Sequence, residues 1–140
     1  RHLFSQLALQ LIEEGKNDKA LKVLRKAEKV LPNYNVPNTF MSGSAEIGRA
    51  YALLGMKKDA KRVLVEVWNN AKSYAEYYVQ LDGSRFVMSQ EEIMRQLYIM
   101  QSLADVMQIV DDKESKEWTY TANAVYKMYQ VKGGQPFETR

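Results

Sequence analysis

Two apolar stripes at helical spacing, separated by a glycine and followed by a proline, constrain the fold of this chain most. The first stripe is Phe4, Leu7, Ala8 and Leu11, and the second is Ala20, Leu24, Ala27 and Leu31. Spacings of three and four residues predict one buried face on each of two helices. Gly15 lies between the stripes, and Pro32 disfavours helical geometry at Leu31. The stretch therefore predicts a helical hairpin over about residues 2–31.

The same pattern recurs further along the chain. A shift of 40 positions aligns Ile47, Gly48, Tyr51, Gly55, Ala60 and Leu64 with Leu7, Ala8, Leu11, Gly15, Ala20 and Leu24. The small side chains are expected where paired helices cross closely: Ala8, Ala20, Gly48 and Ala60. Because one hairpin cannot bury both of its faces, the repeat predicts hairpins stacked on one another.

The rest of the chain fits a longer hairpin and a third one. No proline ends the fourth helix, which is expected to continue to about Leu81, where residues 82–84 break it. Ser89 and Glu92 have the spacing of a capping box, which predicts the next helix start. That helix carries two apolar stripes, so burial on two sides is expected. A last helix should run from about Lys113 to Val131.

These patterns predict an all-α fold with about six helices in three antiparallel hairpins. The predicted boundaries are a single domain over 1–132, hairpins over about 2–31, 40–81 and 89–131, and a flexible tail over 133–140.

The order bulky, Leu, small, bulky, Gly, Ala, bulky, Ala, Pro resembles a tetratricopeptide repeat. The resemblance implies a right-handed helical stack whose inner helices line a concave wall that binds a protein or peptide partner. The residues expected on that wall are Ser5, Leu9, Ile12, Ala45, Arg49 and Ala52. Arg49 is the charged member and could pair with a carboxylate. The alternative for Leu9 and Ile12 is that a neighbouring element covers them.

The resemblance also argues against one kind of ligand. Tetratricopeptide domains that clamp a peptide C-terminus carry Lys and Asn at the positions that match Ser5 and Leu9. Neither residue type is kept, which favours a more apolar, adaptor-like surface.

A polar loop over residues 33–38 lengthens the first repeat unit. Tyr34 and Asn35 in this loop are candidate binding residues. The alternative is a spacer that packs against the next hairpin.

The chain has few residues of the types that usually carry out catalysis or bind metals. The chain has no Cys, and its one His is His2, so ordinary zinc sets and Cys/His pairs cannot be assembled. No Gly-rich phosphate loop is present, and the paired acids lie where helix ends or turns are expected. We therefore expect a non-catalytic domain with no cofactor and no metal. A small hydrolase with an unrecognised site is the alternative from another class.

Positive charge is concentrated on the second and fourth predicted helices, although the formal net charge of the chain is only +3. Lys19, Lys22, Lys26 and Lys29 share one face of the second helix, and Lys57, Lys58, Lys61 and Arg62 open the fourth. The interpretations are a solvated outer face or contact with an anionic surface such as lipid headgroups. No nucleic-acid motif occurs, so nucleic acid is not an expected partner. The aromatic residues of the second half of the chain have helical spacing, which predicts that most of them are core: Tyr74, Tyr77, Tyr78, Tyr98, Trp118, Tyr120, Tyr126 and Tyr129.

A narrower resemblance covers most of the chain. LIEEGKNDKALKVLRKAEKVLPNYNVP over 11–37, AYALLG over 50–55 and the tyrosines Tyr77, Tyr78, Tyr126 and Tyr129 carry it. They resemble the C-terminal soluble region of bacterial multi-spanning membrane proteins similar to protein O-mannosyltransferases. The resemblance implies a glycosyltransferase-like parent enzyme whose catalytic residues lie elsewhere, and membrane contact only through that parent.

The chain is expected to be a domain cut from a longer polypeptide or a mature product after processing, because it begins with Arg1 rather than Met and its helical periodicity starts almost at once with Leu3 and Phe4. The resemblance adds expectations about location and partner. The domain is expected on the extracytoplasmic side, with the membrane part of its own parent as one possible partner. A free-standing helical-repeat adaptor or scaffold is the alternative.

Overall fold

A computed structural model describes residues 1–31, 39–40 and 43–136. These residues form seven α-helices and no strand: α1 (His2–Glu13), α2 (Asn17–Val30), α3 (Ser44–Leu53), α4 (Lys57–Val79), α5 (Gly83–Met88), α6 (Gln90–Val110) and α7 (Asp112–Val131). The all-α prediction is confirmed. The count exceeds the expected six because a short helix, α5, fills the segment predicted to be a break.

The chain divides into two compact units, which we call unit 1 and unit 2. Unit 1 comprises Arg1–Val67 with Ile109–Asp111, and unit 2 comprises Trp68–Gln108 with Asp112–Arg140. The helix α4 therefore contributes residues to both units. The single domain over 1–132 stays a prediction.

In unit 1, α1 packs against both α2 and α3, and α2 also contacts α3. The predicted crossing residues Ala8, Ala20 and Ala60 are fully buried. Gly48 lies so close to α4 that a Cβ added there would be 2.7 Å from Cγ and Cδ2 of Leu64. The predicted close helix crossing is confirmed at Gly48, and the three alanines are buried as the prediction requires.

The turn between α1 and α2 recurs between α3 and α4 with the same hydrogen bonds. Gly15 donates to Ile12 O at 3.0 Å and Lys16 donates to Leu11 O at 2.8 Å. The corresponding bonds, 40 positions on, are Gly55 to Ala52 O at 3.1 Å and Met56 to Tyr51 O at 2.9 Å. Both glycines have φ of +76°, the left-handed geometry that closes a helix in this motif. The sequence repeat is therefore also a repeat of backbone structure.

In unit 2, α6 is buried on two sides, as predicted. Every member of its first stripe is buried: Ile93, Leu97, Met100, Ala104 and Met107. Of the second stripe, Ile99 and Leu103 are buried and Val106 is half-buried. Val110, the last residue of α6, is also buried and belongs to unit 1. The buried hydroxyl of Ser115 on α7 donates to the Ala104 carbonyl at 2.6 Å, which fixes α7 against α6. The indole rings of Trp68 and Trp118 stack with centroids 4.4 Å apart.

The carboxyl end of α4 is closed by a side chain of unit 2. The ammonium of Lys132 donates to the Val79 carbonyl at 2.9 Å and to the Leu81 carbonyl, and it pairs with Asp82 at 3.0 Å. It also lies 5.1 Å from the centroid of the Phe86 ring. A cation at this position satisfies carbonyls that the helix leaves unpaired.

Two predicted helix caps are wrong. Asn17 is of a residue type that favours the N-cap position, which predicts that it caps the second helix. In the structure Asn17 is the first residue of α2, and the cap position is Lys16 without a side-chain cap bond. The Ser89 hydroxyl donates back to Arg85 O at 2.7 Å, so it does not form the capping box. Because α5 ends at Met88, Ser89 closes that helix and its hydroxyl bonds to the preceding turn.

The start of the expected tail makes contacts. The Tyr129 hydroxyl donates to Gln135 O at 2.6 Å, and the Gln135 amide donates to Oε1 of Gln90 at 2.9 Å. Residues 133–136, which the sequence assigned to a flexible tail, thus pack beside the start of α6 and the end of α7. The remainder of the predicted tail lies outside the described residues.

The expectation that most aromatic residues of the second half are core is wrong. Trp118 and Tyr129 are buried, and Tyr78 and Tyr126 are half-buried. Four tyrosines are exposed: Tyr74, Tyr77, Tyr98 and Tyr120. Helical spacing gives the direction of a side chain from its helix axis, but it does not say whether another element covers that direction.

Candidate functional site

A surface groove in unit 1 is formed by α1 and α3. It encloses about 470 Å³, and its walls are Gln6, Leu9, Gln10, Ile12, Glu13, Arg49 and Leu53. The helix α1 supplies one wall because Gln6, Leu9 and Glu13 follow one another at spacings of three and four residues. Arg49 and Leu53 stand at the same spacing on α3. The groove is therefore a direct product of two packed helices.

Three of the residues predicted from sequence come together in this groove: Leu9, Ile12 and Arg49. Ser5 is fully buried, and its hydroxyl donates to His2 O at 2.9 Å, so it offers no polar group at the surface. Ala52 is buried and Ala45 is half-buried. Tyr34 and Asn35, the candidates in the inserted loop, lie outside the described residues.

The groove also contains residues that sequence reasoning missed. Leu53 is 45% exposed, although it is a large aliphatic residue. Gln6, Gln10 and Glu13 complete the α1 wall. The spacing of Gln6 and Glu13 from Leu9 was a usable signal, since residues three and four positions apart share a helix face, and Gln10 stands at the same spacings from Gln6 and Glu13.

The groove pairs an apolar floor with two opposite charges. Leu9 and Ile12 are half-buried and present apolar surface beside the exposed head groups of Glu13 and Arg49. Within the described part of the chain, neither charge forms an ion pair. Each is thus available to a ligand that brings the opposite charge.

In unit 1, an ion-pair network joins α2 to α4. Arg25 donates to both carboxylate oxygens of Asp59, at 2.9 and 3.0 Å, and Arg62 donates to Glu28 at 2.8 Å. The hydrogen bonds from Arg25 hold the pKa of Asp59 below its ordinary value. The guanidinium of Arg25 also lies 5.3 Å from the ring centroid of Tyr51, and burial raises the pKa of that hydroxyl. The network links α4 to α2, and α2 in turn contacts both groove helices, α1 and α3.

Unit 2 has a second, more apolar cleft between α6 and α7. Its volume is about 270 Å³, and its walls are Met94, Leu97, Tyr98, Gln101, Ala122, Asn123 and Tyr126. Tyr98 is 66% exposed, and the walls contain no charged side chain. The sequence pattern predicted that most of the tyrosines here belong to the core, so it did not predict this cleft.

Nothing in the described residues brings metal-ligating groups together. Among residues 1–31, 39–40 and 43–136, no three His, Asp or Glu side chains are grouped so that they could hold a metal ion. Over those same ranges, no helix combines the length and apolarity that crossing a membrane would need.

Comparisons with protein families, with curated proteins and with solved structures found no match to this chain.

Proposed function

We propose that this chain is a non-catalytic, tetratricopeptide-like interaction domain that binds a protein or peptide in the α1–α3 groove. The observation that carries the proposal is the groove itself, where an exposed Leu53 and half-buried Leu9 and Ile12 lie beside the uncompensated charges of Glu13 and Arg49. Exposed aliphatic surface beside a few placed polar groups is typical of a recognition surface.

The tetratricopeptide assignment is part of the same proposal. It is supported by the buried small residues at the helix crossings and by the turn that recurs after 40 positions in unit 1. In this proposal α1 and α2 form one repeat, and α3 and α4 begin the next. The right-handed stack of three hairpins expected from the sequence belongs to this proposal.

The chemistry of the groove defines the ligand. An apolar side chain of the ligand would rest on Leu9 and Ile12, and an acidic group would pair with Arg49. The amides of Gln6 and Gln10 would bond to the ligand backbone. A short peptide with an acidic residue next to aliphatic ones meets these requirements.

Selection from a phage-displayed random peptide library tests the proposal. Retained peptides are expected to combine an acidic residue with aliphatic ones. Arg49→Glu and Leu53→Asp should each weaken binding of a retained peptide by about tenfold or more, because one reverses the charge and the other removes apolar contact. Arg85→Glu is the matched control, since Arg85 is an exposed arginine on α5.

Two results would count against the groove. One is a library that yields no binder. The other is a set of peptides that bind the Arg49 and Leu53 variants as tightly as they bind the unaltered chain.

We also propose that the domain is the extramembrane C-terminal part of a multi-spanning, glycosyltransferase-like bacterial membrane protein, on the extracytoplasmic side. The support is the resemblance carried by residues 11–37. The sequence encoded upstream of Arg1 tests it, since several apolar segments of about 20 residues are expected there. Their absence would favour the free-standing adaptor.

A further inference from the structure

The outer side of α2 carries a row of lysines, which we call the lysine stripe: Lys19, Lys22, Lys26 and Lys29. All four are exposed, and their spacing of three, four and three residues keeps them on one face. Ala20, Leu24 and Ala27, at the intervening positions of the same helix, are fully buried. The stripe therefore faces away from the unit 1 core and extends about 15 Å along the helix.

The charges of the lysine stripe are not neutralised by the protein. Within the described residues, none of the four lysines pairs with a carboxylate, whereas Arg25, Lys61 and Arg62 each do. The helix α2 contains two acids, Asp18 in its first turn and Glu28, and Glu28 is engaged by Arg62. The row thus presents adjacent like charges, and the acid on the same face is Asp18, at the amino-terminal end of the row, four residues before Lys22.

The surrounding unit reinforces this potential. Unit 1 contains twelve Lys and Arg against eight Asp and Glu, so it holds an excess of positive charge. Lys57 and Lys58 add two exposed cations in the first turn of α4, which is also the positive end of the helix dipole. Adjacent like charges repel one another, and a counter-surface of negative charge removes that cost.

We infer that the lysine stripe docks unit 1 on an anionic phospholipid surface. Four cations in a straight row on a convex helix match a surface with negative charges spread in a plane, and lysine stems can reach towards headgroup phosphates. The helix α2 has no aromatic residue, so it offers no platform on which bases could stack. Charge complementarity favours an anionic partner, and the missing platform together with the planar spread of headgroup charge favours lipid over single-stranded nucleic acid. The stripe belongs to α2, so the inference does not depend on the α1–α3 groove.

The size of the effect can be stated for each lysine. A basic residue near an anionic bilayer strengthens binding by about fivefold at moderate salt. Removal of two adjacent lysines should therefore weaken binding by about 25-fold. The interaction should also decline steeply as salt shortens the screening length from about 10 Å to about 3 Å.

Vesicle co-sedimentation of the full chain tests the inference. The probes are phosphatidylcholine vesicles with about 30% phosphatidylserine and vesicles of phosphatidylcholine alone, at about 0.1 M and about 1 M salt. The stripe variant is Lys22→Gln/Lys26→Gln. The control variant is Lys113→Gln/Lys127→Gln, which changes two exposed lysines of α7. Both pairs lower the net charge equally, and glutamine keeps helix propensity. Circular dichroism verifies that each variant is folded.

The expected result is binding to the anionic vesicles at low salt alone, a loss of about 25-fold in the stripe variant and a loss of less than about twofold in the control. Equal losses in both variants would overturn the inference, because net charge would then suffice. It would also be overturned by no binding, by equal binding to phosphatidylcholine vesicles, by binding that persists at high salt, or by tighter binding to a DNA duplex at the same salt.

Discussion

At the scale of single residues, Asp59 is the acid that links two helices of unit 1. Its side chain is only 22% exposed, and it receives hydrogen bonds from Arg25 and from Arg62. A carboxylate held by two guanidinium groups keeps its charge more strongly in the folded chain than in the unfolded chain. The stability of unit 1 should therefore depend on pH through this group.

We expect Asp59→Asn to lower the free energy of unfolding by about 1 kcal/mol near neutral pH, since a charge-assisted bidentate contact is lost at a partly exposed site. The pKa of Asp59 is lower in the folded state than in the unfolded state. The contribution of Asp59 is therefore present above its unfolded pKa of about 3.9 and disappears as pH falls through the lower folded value. The difference between the variant and the unaltered chain should shrink towards zero in acid.

Urea unfolding at a series of pH values measures this difference. Asp105→Asn is the control, since Asp105 is exposed and accepts one bond, from Gln101. A difference that is constant with pH would contradict the assignment of the ion pair.

The sequence predicted some of these residues and not others. The small residues at the crossings follow from spacing alone, because a narrow gap between helices excludes larger side chains. The pair of Arg25 and Asp59 joins positions 34 apart, and its geometry depends on how α2 and α4 are rotated about their axes. Leu9, Ile12 and Arg49 could be proposed from helix faces, whereas the exposure of Leu53 depends on what the neighbouring helices leave uncovered.

At the scale of elements, the long helices lie close to where the sequence placed them. The pattern set by Gly15 and Pro32 predicted the ends of α1 and α2, and the lack of proline predicted the length of α4. The short helix α5 was missed, because six residues are too few for an apolar period to be recognised. The cap of α2 was predicted wrongly, since this helix start uses no side-chain cap.

The close approach of α3 and α4 gives a test at this scale. Gly48→Ala should destabilise the chain by about 1–3 kcal/mol, because the new Cβ would lie 2.7 Å from the side chain of the fully buried Leu64. In a chain that already carries Leu64→Ala, adding Gly48→Ala should lower the free energy of unfolding much less than it does in the unaltered chain, since the clash is gone.

Thermal or urea unfolding of the four chains of this double-mutant cycle supplies the measurement. Additive effects of the two substitutions would mean that Gly48 and Leu64 do not limit the helix separation.

At the scale of the whole molecule, α4 belongs to both units. Val67 is the last residue of α4 in unit 1, and Trp68 is the first in unit 2. The helix is continuous from Lys57 to Val79. Loss of packing in either unit would leave half of this helix without its apolar contacts, and a short helix alone is marginal in water.

We therefore expect the chain to unfold in one cooperative transition. Both tryptophans, Trp68 and Trp118, lie in unit 2, so their fluorescence reports that unit, whereas far-ultraviolet circular dichroism reports all helices. The two signals should give the same midpoint in urea, in the unaltered chain and in Gly48→Ala. Separate midpoints would show that the units unfold independently and would contradict the predicted single domain over 1–132.

The recurring turn has a practical meaning for protein engineering. Residues 14–16 and 54–56 close their helices with the same pattern of backbone bonds and the same glycine geometry. The backbone of the two turns is therefore equivalent, and we expect that either tripeptide can close the other helix in the same conformation. A designer could graft an additional hairpin in the same register and lengthen this scaffold by whole modules.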